Sequence, residues 1–418
     1  MEIRRTAIVN LFRKRGRVIA LAGLFIFALF SFYWANFFFG LGLLGITSIL
    51  AFKMVSPRFD PLTTRKIRRF LEIKRGYYSF LIIGVITLLS LFAEFIANNR
   101  ALIVHYEGRL FFPTFSRVHL GNTFGLSGPD GFSPVNYREL KTRWDESSSS
   151  NWVLLPPVPY SPTENTTVED KFGNQVFRPT PPDIDRKHFL GTDKTGRDIL
   201  SRLIYGFRVA ILFAIAFMVL TYIIGILIGC LMGYFGGLFD IIIQRLIEIW
   251  SNIPFIYMVI IIFSIIPATF SISTRIFILL GIMVLFSWTG MTYYMRTATY
   301  REKERDYTSA AIVLGATTPR IILNHILPNT ISTIVTFMPF TVVSAISAIT
   351  ALDFLGLGLP PPTPSLGEML KQGRDLIGDA PWIISSAFAS LVILLTLVTF
   401  VGEAVREAFD PKKFTTYK

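Results

Sequence analysis

The sequence is short of the residues that covalent bracing and soluble chemistry need. It has one cysteine, Cys230, so an intrachain disulfide and a zinc-holding thiolate cluster are both excluded. Its four histidines, His105, His119, His188 and His325, lack the i, i+4 spacing that sets two imidazoles on one helix face. No metal and no cofactor is expected. His325 has no G-x-S-x-G nucleophile turn to serve as base, so the chain is not expected to be an enzyme. Gly191 and Gly196 have the glycine spacing of a phosphate-binding loop, but Arg197 and Asp198 stand where Lys and then Ser or Thr are required. That stretch is read as a turn leading into a helix, and ATP hydrolysis by this chain alone is not expected.

Charge is also scarce, at 17% of residues. In its place, 52% of the 418 residues are hydrophobic and the mean hydropathy is +0.52. The apolar residues come in runs of about twenty, the length that crosses a bilayer as a helix. The net charge of +13 would suggest nucleic acid as a partner of a soluble protein. Here the basic residues flank apolar runs and read as topology signals, and the aromatic content suits interfacial belts better than a base-stacking platform. The expected surroundings are a lipid membrane, with no nucleic acid partner.

The first apolar stretch, residues 18–52, is too long for one crossing and just long enough for two, which predicts a tight hairpin. Arg4, Arg5, Arg13, Lys14, Arg15 and Arg17 precede it, and Lys53, Arg58, Arg65, Lys66, Arg68, Arg69, Lys74 and Arg75 follow, which places both flanks in the cytoplasm. The basic start also resembles a signal peptide, but no small-residue cleavage site closes a short apolar region. Residues 78–97 then cross outward. Residues 98–201 are polar, rich in Pro, Ser and Thr, and form an expected extracytoplasmic domain, with short strands around residues 102–106 and 153–157. Further spans are expected at 203–232, 253–270, 276–295, 331–352 and 382–401, the last followed by Lys412 and Lys413.

The fold class is thus an all-α, multi-pass helical bundle with six core spans, an N-terminal two-helix hairpin and an extracytoplasmic domain. The expected divisions are residues 1–76 (basic start, hairpin and basic linker), 77–97 (first core span), 98–201, and 202–418 (five further spans with a cytoplasmic loop at 296–329). Both termini are placed in the cytoplasm. Asp240, Arg245 and Glu248 are read as structural charges at the cytoplasmic edge, with Arg245 and Glu248 as a pair.

The loop at 296–329 holds Asp306-Tyr307-Thr308-Ser309-Ala310-Ala311, then Leu314-Gly315-Ala316, then His325-Ile326-Leu327-Pro328-Asn329. Small residues permit close approach by a partner, Gly315 permits a sharp break, and Pro328 suits the start of the next helix. Such a segment fits a short helix lying in another protein's groove. It resembles the cytoplasmic loop of binding-protein-dependent ABC-importer permeases, with Ala310, Ala311, Gly315, Leu327 and Pro328 on the pattern. Ser309 stands where that pattern has Glu, and His325 where it has Ile.

Two further stretches resemble the dipeptide and oligopeptide permeases within that family. One is His188-Phe189-Leu190-Gly191-Thr192-Asp193 with Gly196-Arg197-Asp198, ahead of a core helix. The other runs from Asp353-Phe354-Leu355-Gly356 to Pro364-Ser365-Leu366-Gly367. Asn151-Trp152-Val153-Leu154, Leu285-Phe286-Ser287-Trp288 and Gly402-Glu403-Ala404-Val405-Arg406 resemble the permeases linked to oligopeptide and microcin C uptake.

The resemblance implies a permease that pairs with a homologous second permease, two ATPase subunits or domains, and an extracytoplasmic peptide-binding protein, in the cytoplasmic (inner) membrane. It implies ATPase docking through Asp306, Ala310, Ala311, Gly315, His325, Leu327 and Pro328. Asp353, Glu368 and Arg374 are placed at the outer mouth, either touching cargo or the delivering protein or simply solvated. An ion-coupled transporter would call for ionisable residues at mid-membrane and internal repeats, and the last five spans have few such charges and no clear repeat.

Overall fold

The computed structural model describes residues 42, 61–147, 150–169, 172–267 and 269–409. The expected hairpin at 18–52, apart from Gly42, lies outside them. By internal contacts the chain divides into two units, residues 1–63 with 85–205, and residues 64–84 with 206–418.

Helix α1 (Pro61–Glu72) carries the basic run and ends one residue before α2 (Lys74–Leu91), the first apolar helix. α2 begins earlier than the expected span and stops at Leu91. The chain then breaks at Phe92 before the single turn α3 (Ala93–Ile96).

Between α3 and the next long helix lies a small mixed fold. Strands β1 (Ile103–Tyr106) and β2 (Arg109–Phe111) form a hairpin whose two turn residues, Glu107 and Gly108, both have positive φ, the backbone that matches strand twist in a two-residue turn. The short helices that follow are a 3-10 turn at Gly121–Phe124, α4 (Pro129–Phe132) and α5 (Tyr137–Glu146). Asn136 caps α5 by accepting from the Arg138 N–H. Strand β3 (Trp152–Leu154) pairs antiparallel with β1, in the order β2-β1-β3, and β4 (Val168–Glu169) pairs with β5 (Gln175–Val176). Strand alternation turns Val104 and Val153 inward onto Phe124, Leu140 and Trp144, which form the core of this fold. β1 matches the strand expected at 102–106 and β3 overlaps the start of the one expected at 153–157, whereas β2, β4, β5 and α5 are additions to the expectation.

The remaining helices are α6 (Ile199–Phe235), α7 (Gly237–Ser251), α8 (Phe255–Ile265), α9 (Ile272–Lys303), α10 (Asp306–Val313), α11 (Thr318–Ile321), α12 (Leu327–Leu355), α13 (Leu366–Asp375) and α14 (Pro381–Phe409). Among the described residues, five helices are long and apolar enough to cross a membrane, or six if the bent pair α7 and α8 forms one span.

That bend shows the span expected at 253–270 to be the second arm of a bent pair. α8 has only 11 residues, about 16 Å, roughly half the hydrocarbon thickness. It meets α7 at 70°. Pro254 cannot donate a backbone hydrogen bond and disfavours helical backbone at Ile253, so the helix ends there and restarts in a new direction.

Pro328 stands in the first turn of α12, as expected, but that helix continues from helical structure before it. Helical structure begins ten residues earlier, with Pro319 in the first turn of α11, and runs on as one 38-residue apolar stretch, Thr318–Leu355. Pro328 is absorbed by a π-helical turn at Ile322–Ile326, where the Leu327 N–H donates to the Ile322 carbonyl.

α6 and α9 pack through glycines one turn apart. A Cβ on Gly225, Gly229 or Gly233 would lie 2.6 to 2.7 Å from α9 atoms of Met291, Thr292 and Thr299 respectively. The spacing is the small-xxx-small pattern that lets membrane helices approach closely.

Candidate functional site

α9 runs well past the length needed to cross a bilayer and ends at Lys303, and Glu302 organises the turn that follows. Its buried carboxylate accepts the Tyr307 hydroxyl at 2.8 Å and pairs with Arg301 at 3.2 Å and Arg305 at 3.9 Å. Its carbonyl accepts the Thr308 hydroxyl at 2.8 Å. Burial, with the Glu302 carboxylate beside it, pushes the Tyr307 phenol above its ordinary value, so it remains a donor at neutral pH. These contacts fix the angle between α9 and α10.

On α10 the small residues face two ways. Thr308 and Ala311 are buried, and Ala311 packs with Ile321 and Ile326 against Tyr234. Asp306, Ser309 and Ala310 are exposed, and so are Ile312, Val313 and Leu314, the last two at 85% and 86%. The helix ends in a Schellman motif: the Gly315 N–H donates to the Ile312 carbonyl and the Ala316 N–H to the Ala311 carbonyl. Gly315 has φ +77°, and a Cβ there would meet nothing within 4 Å, so its conformation, not lack of space, calls for glycine. His325 is half-buried on the π turn, where its carbonyl accepts from the Asn329 amide; Leu327 is half-buried and Pro328 exposed. The sequence-derived residues thus gather around one short helix with an apolar tip.

The residues placed at the outer mouth separate. Asp353 is buried at the end of α12, accepting from the Leu359 N–H at 2.7 Å and from the Ser365 hydroxyl. Ser365 caps α13 through the Glu368 N–H, and Glu368 is buried and bonded to Gln372. Asp353 ties the 356–366 loop to α12, the Glu368 carboxylate bonds within α13, and neither is a solvated loop charge. Arg374 is exposed, lies over the Phe354 ring and pairs with Asp375 at 2.8 Å.

The turn with the phosphate-loop spacing is a buried ionic knot. Asp193 accepts from Thr195, from the Arg197 N–H and Nε, and from Arg202. Burial raises the Asp193 pKa, but Arg202 and Arg197 outweigh it and hold the carboxyl below its usual range. Asp198 pairs with His188 Nδ1 at 2.8 Å and caps α6 by accepting the Ser201 N–H, and the His188 ring stacks on Tyr160. Gly196 has φ +78°, and a Cβ there would run into the Thr166 carbonyl oxygen. Both glycines serve the turn, as expected from the sequence.

Several residues were missed. Arg245 and Glu248 pair as expected, but Asp240 takes a two-pronged bond from Arg296 on α9 and a third from Tyr300. The Gly225, Gly229, Gly233 ladder was visible as a four-residue glycine repeat. Glu302 carried no local signal beyond its place in a charged run.

A helical bundle with several membrane-length spans and a short helix held between two of them is the architecture of a polytopic membrane protein. Residues 225–415 match the family described as binding-protein-dependent transport system inner membrane component. The chain is 37% identical over 374 residues to the peptidoglycan transport system permease protein YejE of Agrobacterium fabrum, covering 85% of this chain and 95% of that one. It is 39% identical over 358 residues to the inner membrane ABC transporter permease protein YejE of Escherichia coli, covering 85% and 99%. The oligopeptide transport system permease protein OppC of Escherichia coli is 35% identical over 231 residues, covering 55% and 74%. The chain belongs to this family of inner-membrane ABC transporter permeases.

Proposed function

We propose that the chain is one of two membrane-spanning permease subunits of an ATP-driven peptide importer, and that α10 is the helix through which an ATPase subunit drives it. The exposed Ile312-Val313-Leu314 tip carries this reading, because three large apolar side chains in water at the end of a braced helix gain from burial in a partner's groove. Glu302 ties α10 to α9, and Ala311 ties it to the start of α12, so movement of α10 would be passed to both spans as a rigid-body shift. Asp306, Ala310, Gly315 and Pro328 are exposed and open to the same partner, while His325 and Leu327 are half-buried. In this arrangement residues 296–329 and both termini are cytoplasmic, and residues 98–201 are extracytoplasmic and face a peptide-binding protein. A homologous second permease and two ATPase subunits or domains complete the importer.

Oligopeptides, including microcin C-like ones, are the favoured cargo. Peptidoglycan fragments are a second reading, which rests on the name of the Agrobacterium fabrum relative. The test is accumulation of labelled oligopeptide by proteoliposomes containing the whole complex and its binding protein. Uptake that needs ATP and no ion gradient is expected; uptake driven by a proton or sodium gradient without ATP would contradict the proposal.

A further inference from the structure

The two sides of α6 differ in chemistry. One side, with α11 and α12, lines an apolar cleft of about 880 Å³ that includes Ile223, Leu227, Cys230 and Leu323. On the other side, α6, α9 and α12 enclose a hollow of about 290 Å³ that brings together six hydroxyl groups, those of Thr221, Tyr222, Ser287, Tyr294, Thr341 and Ser344. No charged side chain lines it.

Hydroxyls facing hydrocarbon gain nothing from lipid and usually turn back onto their own helix. Thr341 does so in part, donating to the Phe337 carbonyl at 3.2 Å, and it also bonds the Tyr222 hydroxyl across to α6 at 2.8 Å. Thr221 does not. Its residue is 3% exposed and its hydroxyl has no hydrogen-bond partner among the described residues. A buried polar atom left in that state costs about 1–3 kcal/mol.

We propose that this hollow is the part of the substrate path contributed by this subunit, and that it holds an extended peptide by its main-chain amides and not by its charges. The inference rests on the transport reading above. A hydroxyl both donates and accepts, and so matches the alternating N–H and C=O of a peptide whatever its sequence. The stacked rings of Tyr294 and Phe337, 3.9 Å apart, add a flat wall for apolar side chains. At about 290 Å³ the hollow lies at the lower limit of small-ligand pockets, in keeping with one wall of a path that a second permease closes.

The test uses the whole complex in proteoliposomes with Cys230→Ala in this chain, into which Ser344→Cys, Ser287→Cys or Leu227→Cys is introduced. A charged, membrane-impermeant thiol reagent should modify the first two at least about tenfold faster than Leu227→Cys, which faces the apolar cleft, because a charged reagent reaches water-lined sites and not hydrocarbon. Transported oligopeptides of either net charge should slow that modification alike. Equal rates at all three positions in a complex that still transports peptide would overturn the hollow as part of the path. Protection only by peptides of one charge would overturn main-chain recognition. A complex that accumulates no peptide, yet in which Ser344→Cys still outreacts Leu227→Cys, would instead overturn the peptide reading of the protein.

Discussion

Single residues set much of the local geometry of this protein. Asp193 is the plainest case, since one buried carboxylate answers two buried arginines. Its pKa is lowered in the fold, so its contribution to stability is complete above the unfolded carboxylate value, about 3.9, and is lost as the pH falls through the lower folded value. Asp193→Asn removes a buried counter-charge from Arg197 and Arg202, and should cost about 3–5 kcal/mol. Thermal unfolding of the detergent-solubilised protein would show this as a lowered midpoint at neutral pH, with the gap to the parent closing only in strong acid. Asp353 and Glu368 also act locally. Both read as outer-mouth charges in the sequence, and only the fold shows them buried, Asp353 holding the loop and Glu368 bonded within α13, because a carboxylate just ahead of a Gly-Leu-Gly run looks the same whether it faces water or a serine hydroxyl.

Helices show where sequence reading works and where it stops. The expected spans at 203–232, 276–295, 331–352 and 382–401 all lie inside observed helices, because hydropathy reports the lipid-facing length directly. It says little about where a helix continues into water, which is why α9 and the 318–355 helix extend beyond their apolar portions. Nor does it report a bend, so the break at Pro254 does not show in the span expected at 253–270. The bond from Arg296 to Asp240 joins residues 56 positions apart, a separation at which no local pattern signals contact. The glycine ladder was legible and makes a clear prediction. Gly229→Leu places a side chain where the Thr292 carbonyl oxygen already sits 2.6 Å from the Cβ position, so α6 and α9 must separate and the yield of folded protein should collapse. Gly281→Ala, with nothing within 4 Å of its Cβ, should leave size-exclusion behaviour and thermal midpoint unchanged or slightly improved.

At the scale of the whole molecule, α10 was the most legible feature, since its small residues, Gly315 and charged setting lie close together in sequence. What the sequence could not separate was which of its residues are exposed. Ala311, a pattern residue, packs inward, while Val313 and Leu314, which are outside the pattern, form the exposed tip. Substituting Ala311 would therefore test the integrity of the segment, and the tip is the place to test docking. The decisive measurement is co-purification of ATPase subunits with this chain in detergent, for the parent and for Val313→Asp with Leu314→Asp. The parent should retain the ATPase subunits. The double variant, with its thermal midpoint intact, should lose them, by about 2 kcal/mol or roughly thirtyfold in affinity if the tip is the centre of the interface. Full retention by the double variant, or no ATPase with the parent under conditions that preserve comparable complexes, would contradict docking through α10.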